Sequence, residues 1–341
     1  MTAQAATTSP TRLERERKAA VEAVAAASRL CRAVRADFAP AEATAKADRS
    51  PVTVADLGAQ ALISLRLADA FPDVGLMGEE DSAPLAGAPG LAEAVRARVA
   101  EHRAGVSLTE VRSALDRCDD PGGPARRWWT LDPVDGTKGF LRNEQYAVAL
   151  ALIEDGEVVL AVMGCPNLPH DGDPGSPGPS GSVFVAERGS GVRQLPLEGA
   201  EEDPGRPIHV ADPPSLREAR WAESVEAAHS SQSATSRIAS ALGITAPPVR
   251  LDSQAKYAVV ARGDAAIYLR LPHGDYRENV WDHAAGALIV EEAGGRVSDA
   301  LGRPLDFTAG RRLDRNHGIV VTTATIHEAV LQAVGQVVRE P

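Results

Sequence analysis

Apolar residues recur along this chain with two periods, helical and alternating, and the period changes at Gly- and Pro-rich breaks. Val21, Val24, Ala27, Cys31, Val34 and Phe38 fall at helical steps. They predict a long first helix, begun at Ser9-Pro10 and buried on one side. A second helix is predicted over 53–70, with Val54, Ala61, Leu62 and Leu65 inward. Residues 74–77 read as a strand end. The Ala-, Gly- and Pro-rich stretch 82–127 reads as a lid-like connection with one plausible helix, 91–103. The apolar residues before Asp132 predict a buried strand that Pro133 stops. Residues 146–153 and 157–162 predict a strand pair turned at Asp155-Gly156. The low-complexity run 171–181 is expected to be a surface loop, and 182–186 resumes a strand.

An acidic, Pro/Gly-containing shift at 197–207 marks a boundary. Beyond it, strand patterns at 221–225, 248–251, 265–271 and 318–322 alternate with helix patterns at 232–242, 253–261 and 282–293. Gly294-Gly295 closes the last of these, and Thr325 is expected to cap the final helix. The division predicted is a disordered N-terminus at 1–11, an α+β half at 12–205 and an α/β half at 206–341.

The chain has 341 residues, 44% of them hydrophobic and 24% charged, which is enough to build a core of one large or two ordinary domains. Its net charge of −11 argues against a nucleic-acid polymer as partner, since a phosphate backbone needs a basic patch. A small anionic substrate stays compatible, because a bound cation reverses the local field. Cys31, Cys118 and Cys165 form no CxxC spacing and read as free thiols. No secretory signal and no long apolar run is visible, so the expected location is cytoplasmic.

Candidate chemistry sits in three acidic segments. In Asp132-Pro133-Val134-Asp135-Gly136-Thr137, two carboxylates and the Val134 carbonyl converge where a strand ends. That all-oxygen environment suits a hard cation such as Mg²⁺, though an Asp-Pro turn with a capping Asp fits the same residues. Gly78-Glu79-Glu80-Asp81 follows another strand end, and Trp281-Asp282-His283-Ala284-Ala285-Gly286 opens an apolar helix. Alone, the first is a solvated face and Asp282 an N-cap. Together they fit a multi-metal phosphatase, in which cations about 3.5–4 Å apart flank an in-line displacement. Asp56 is expected in the first turn of the second helix, where the dipole favours its ionised form.

The order and number of these motifs resemble the inositol-monophosphatase-like family of Mg²⁺-dependent, lithium-sensitive phosphatases. Its GEE, DPxDGT and WDxAAG signatures stand here at 78–80, 132–137 and 281–286. Segments 46–56, 137–142, 226–231, 252–257 and 267–270 are similar to its 3′(2′),5′-bisphosphate nucleotidases. The resemblance runs from about Leu13 to the C-terminus, apart from 82–127 and 171–181. It implies a layered αβαβα sandwich of the inositol monophosphatase and fructose-1,6-bisphosphatase type, an antiparallel-sheet half followed by a mixed-sheet half. The first half would bind metal and the second substrate.

By the same resemblance Glu79, Asp132, Asp135, Asp282 and the Val134 carbonyl would hold two or three Mg²⁺, and Li⁺ would inhibit. Thr137, oriented by Asp56, would position the attacking water; Glu80 is either a neighbour of the metals or a solvated charge. His229, Ser253, Lys256, Arg270 and Thr137 would grip the nucleotide. The implied reaction removes the 3′-phosphate of adenosine 3′,5′-bisphosphate (PAP) to give AMP, with the sulfate-activated PAPS as a further substrate and a place in sulfur metabolism. The alternatives are an inositol polyphosphate 1-phosphatase or inositol monophosphatase, and a catalytically idle binding protein. A monomer or homodimer is expected, with no membrane partner. One departure is Gln232, where the family often has His.

Overall fold

Two helices open the structure because each turns a continuous apolar face onto the other. The computed structural model describes residues 12–37, 51–174, 181–225, 232–271 and 276–339. Helix α1 (Glu14–Ala36) buries Ala20, Val21, Val24, Ala27, Leu30, Cys31 and Val34. It packs along α2 (Pro51–Ala70). Small residues at the seam let the two backbones approach. The expected start at Ser9-Pro10 and the expected inward Phe38 lie outside the described residues. Since α2 begins at Pro51, Asp56 is its sixth residue and not in the first turn. The dipole argument for its ionised form therefore fails.

β1 (Gly75–Gly78) pairs in parallel with β2 (Arg127–Asp135), with Gly78 opposite Leu131. Parallel pairing ends both strands at one edge of the sheet, so Glu79 emerges beside Asp132. Pro133 does not stop β2. It lies in a bulge, where Asp132 faces Ala149 but Asp135 faces Ala147. A bulge lacks the ladder bond that proline cannot donate, which is why the strand runs through it.

The stretch between β1 and β2 is packed helix and not a lid. α3 (Pro89–Ala100) and α4 (Leu108–Asp116) lie on α2 and bury Leu91, Val95, Val99, Val111 and Leu115. α4 starts with a capping box, Ser107 with Glu110, the signal from which that helix could have been read. After the short α5 (Thr137–Arg142) come β3 (Ala147–Glu154), β4 (Glu157–Cys165), β5 (Ser182–Glu187), β6 (Gly191–Pro196) and β7 (Arg206–Pro207). They complete a sheet in the order β1 to β7, antiparallel from β2 onward.

The second sheet joins β8 (Trp221–Glu223), β9 (Val249–Arg250), β10 (Ile267–Arg270), β11 (Gly295–Ser298) and β12 (Ile319–Thr323). Its order is β11-β12-β10-β8-β9, parallel across β10-β8-β9 and antiparallel elsewhere. α6 (Gln232–Ala241), α7 (Ala255–Ala261), α8 (Ala284–Glu292) and α9 (His327–Arg339) cover its faces. α7 and α8 pack on each other between the sheets, and α6 and α9 close the outer side. The layers are α1–α2, first sheet, α7–α8, second sheet and α6–α9, the sandwich expected. Strand β3 serves two of them by alternation. Val148, Leu150 and Leu152 face α1 and α2, while Ala147, Ala149 and Ala151 leave room for α8.

Trp129 and Trp128 point to opposite faces of β2, and both are fully buried. An indole of this kind removes on the order of 200 Å² from water, roughly 5 kcal/mol at 25 cal/mol per Å² before ordering costs. The strand that carries Asp132 is thus clamped on both sides. Cys31, Cys118 and Cys165 are free and buried. No helix among the described residues is long and apolar enough to cross a membrane. Thr325 does not cap the last helix: it sits in a 3₁₀ turn, where its hydroxyl donates to Asp212 at 2.7 Å.

Candidate active site

The carboxylates of Asp132, Asp135 and Asp282 offer oxygens that all lie within 4.8 Å of one another. Strand β2 brings the first two, and the turn before α8 brings the third from the other half of the chain. Asp282 is not the N-cap of α8; His283 holds that place, which leaves the Asp282 carboxylate to the cluster. Glu79, at the end of β1, joins it through Asp132. Val134 lies in the bulge between the two aspartates.

So much negative charge is unfavourable in a buried place. Burial, then Glu79, Asp135 and Asp282, push the Asp132 carboxyl well above its ordinary range. Glu79 is exposed as a residue, yet burial of its carboxylate, Asp282, Glu80 and Asp135 push it up to about 7. Burial, opposed by His283 and aided by Asp135, raises Asp282. Asp132 Oδ1 is buried without a hydrogen-bond partner among the described residues. A hard divalent cation answers both problems, since it takes carboxylate oxygens and cancels their repulsion. The donor set therefore fits a metal ion.

A second group, Glu278, Asp282 and His283, has similar spacing but is already committed. His283 Nε2 bonds Glu278 at 3.1 Å and its Nδ1 bonds the Tyr257 hydroxyl at 2.7 Å. No imidazole nitrogen is left to ligate.

Thr137 is the first residue of α5, at the mouth of the cluster, and is exposed. Gly136 makes that turn with φ of 91°, and a Cβ there would meet Ser253 Cβ at 2.7 Å. Helix α2, with Asp56, packs on α5. No hydrogen bond joins Asp56 to Thr137 among the described residues. Burial, Glu80 and Glu79 raise the Asp56 carboxyl well above its ordinary range, the reverse of the expectation for a first-turn carboxylate.

Ser253, Lys256 and Arg270 come together with Asp135 and Thr137 around one cavity of about 290 Å³, beneath the β8 and β10 ends. Ser253 has φ of 69° and begins the turn into α7. Lys256 is buried, with Nζ donating to Leu251 O at 3.3 Å and lying 5.4 Å from the Tyr268 ring centre. Burial lowers its pKa to about 8, against the pull of Asp135 and Asp252. Arg270 pairs with Glu278 at 2.8 Å and approaches Asp282 at 3.8 Å. His229 lies outside the described residues.

Sequence reasoning missed the residues that hold this arrangement. Gln60 clasps the Glu80 backbone from both sides, accepting from its N–H at 3.0 Å and donating to its carbonyl at 2.5 Å. Arg311 donates to the Gly78 carbonyl at 2.7 Å and stacks 4.7 Å over Trp281, tying the β1 end to the segment that carries Asp282. Gln254 donates its backbone N–H to Asp135. These contacts join distant segments, and no local pattern encodes them.

A model of the inositol monophosphatase family matches residues 12–339. The chain belongs to that family. A 3′(2′),5′-bisphosphate nucleotidase of Oryza sativa is 46% identical to it over 342 residues, 95% of each chain. Those of Schizosaccharomyces pombe and Emericella nidulans are 44% and 42% identical; the match covers 87% of this chain and of the former, and 96% and 99% with the latter. An inositol monophosphatase from Zymomonas mobilis superposes with a TM-score of 0.64 at 21% identity, covering 95% of this chain and 99% of its own. CysQ from Bacteroides thetaiotaomicron does so at 0.61 and 21%, covering 90% and 97%. At such identities the structural likeness concerns the fold.

Proposed function

We propose that this family member is a Mg²⁺-dependent 3′(2′),5′-bisphosphate nucleotidase that converts adenosine 3′,5′-bisphosphate to AMP and phosphate, and accepts PAPS as well. The observation that carries the reading is one cavity lined by Asp135 of the carboxylate cluster together with the cations Lys256 and Arg270. A substrate with one phosphate to cleave and a second to hold matches a metal-type carboxylate cluster with two cations beside it. The nucleotidase relatives above support the same reading.

In this reading Glu79, Asp132, Asp135, Asp282 and the Val134 carbonyl hold two or three Mg²⁺, and Li⁺ competes for one place. Bound Mg²⁺ would neutralise the phosphate, ease ionisation of water and stabilise the leaving alkoxide. The Thr137 hydroxyl orients the attacking water at the cavity mouth. Asp56, lying behind the cluster on α2, supports Thr137 once the cation relieves its carboxylate neighbours. Lys256 and Arg270 pair with the phosphate that stays, and Ser253 and His229 bond sugar, base or phosphate. Residues 12–205 then serve chiefly the metals and 206–341 chiefly the substrate, with Asp282 crossing between them.

Phosphate release in Mg²⁺ from adenosine 3′,5′-bisphosphate and inositol 1,4-bisphosphate tests the reading. A higher kcat/KM on the nucleotide is expected; preference for the inositol ester overturns it. Asp132→Asn is expected to abolish turnover while the protein stays folded.

A further inference from the structure

Arg270 reaches the cavity on a side chain that a buried chain of polar groups grips from behind. Its Nε donates to Glu278 Oε2 at 2.8 Å. The same oxygen takes His283 Nε2 at 3.1 Å, and His283 Nδ1 meets the Tyr257 hydroxyl at 2.7 Å. Glu278 accepts only, as a carboxylate, so a proton sits on His283 Nε2, and in the neutral imidazole Nδ1 accepts from the Tyr257 hydroxyl. Every hydrogen then points toward Glu278. His283 and Tyr257 are wholly buried and Glu278 nearly so.

The backing is stiff. Tyr257 stands edge-on to Tyr268, 5.2 Å between ring centres, and α8 presses on it so closely that a Cβ at Gly286 would lie 2.3 Å from the ring. Of the four residues, Arg270 alone lines the cavity. Its Nη2 also lies 3.8 Å from Asp282 and donates to the Tyr276 hydroxyl at 3.3 Å.

We propose that Glu278, backed by His283 and Tyr257, is a positioning residue that fixes the Arg270 guanidinium and presents its Nη edge to the phosphate that is not cleaved. This rests on the nucleotidase reading. The guanidinium would be ordered before substrate arrives, so less freedom is lost on binding.

The test compares adenosine 3′,5′-bisphosphate with adenosine 3′-monophosphate, which has the same scissile ester and no 5′-phosphate, at saturating Mg²⁺. In Glu278→Gln, KM for the bisphosphate is expected to rise about tenfold, with kcat within about threefold, as when one charge-assisted contact loses its alignment. KM for the monophosphate should move less than about threefold, which a general loss of structure would not allow. Arg270→Lys should erase the same preference, and the double variant should add little to it. If Glu278→Gln proves unfolded at the assay temperature, Glu278→Asp keeps the charge but withdraws it, and the same selective rise is expected. A wild-type protein without preference for the bisphosphate overturns the nucleotidase reading and this inference together. A wild-type preference that survives in a folded Glu278 variant, or is lost equally for both substrates, overturns the inference alone.

Discussion

Gln254 Nε2 lies 3.4 Å from Asp132 Oδ2, a contact across 122 positions of the chain that ties the start of α7 to the end of β2. The same amide donates to the Trp281 carbonyl at 3.1 Å, and the Gln254 backbone N–H donates to Asp135. One residue thus touches two carboxylates of the cluster and the residue next to the third. Gln254→Leu is expected to raise the Mg²⁺ concentration for half-maximal activity about 10–100-fold, the usual cost of removing a partner behind a metal ligand. Magnesium titration of activity and of the thermal midpoint would check it; an unchanged titration would show that Gln254 has no part in holding the ion.

The crowded carboxylates set a sign for pH dependence. Glu79 has its pKa raised from 4.5 to about 7, so the folded chain binds this proton more tightly than the unfolded one. Its favourable contribution is complete below 4.5 and is lost as pH rises through 7. Asp132, Asp56 and Asp282 are raised too and act in the same direction. In EDTA the thermal midpoint is therefore expected to fall between about pH 4.5 and 7, and saturating Mg²⁺ should suppress the fall. Differential scanning fluorimetry with and without Mg²⁺ gives the answer. Parallel curves would contradict the assignment of these groups to a cation site.

Lys256 gives a second pH signal of opposite origin. Burial lowers its pKa to about 8. Above that pH the ammonium is lost, so KM for a bisphosphorylated substrate should climb while binding below it stays level. A bound phosphate shifts the step upward. Lys256→Met should start from a high KM and lack the step. Steady-state kinetics from pH 7 to 9.5 would separate this from titration of the metal cluster, which affects kcat.

Gly136→Ala should destabilise the fold by about 1–3 kcal/mol, the range for a side chain forced into a left-handed backbone. Here φ is 91° and the new Cβ would collide with Ser253 at 2.7 Å. Urea denaturation measures the loss. A stability equal to that of the parent would mean that the turn before Thr137 can rearrange freely.

Much of this architecture follows from local pattern. The buried face of α1, the alternation along β3 and β4, and the strand-helix sequence after residue 220 need only periodicity and breakers. The acidic segments were recognisable too, because each stands where a run of apolar residues stops or starts. Local rules failed where a neighbour in space decided. Pro133 was expected to end its strand, but the bulge against Ala147–Ala149 carries the chain through to Asp135. Taken alone Asp282 reads equally as a cap of α8, and only the structure shows that His283, fixed by Tyr257 and Glu278, takes that place.

What the amino-acid order determined by itself was which carboxylates exist, and that each would be delivered at the end of a regular element. Hydrophobic period is a nearest-neighbour property and can be read one segment at a time. Tertiary structure alone decided that β1 and β2 run parallel, so that Glu79 and Asp132 leave the sheet at one edge. It also brought Asp282 from about 150 residues away into the same cluster, and set Gln60, Gln254 and Arg311 as its supports. Those placements come from close packing between layers and from partners for buried polar groups, which only the assembled chain can supply.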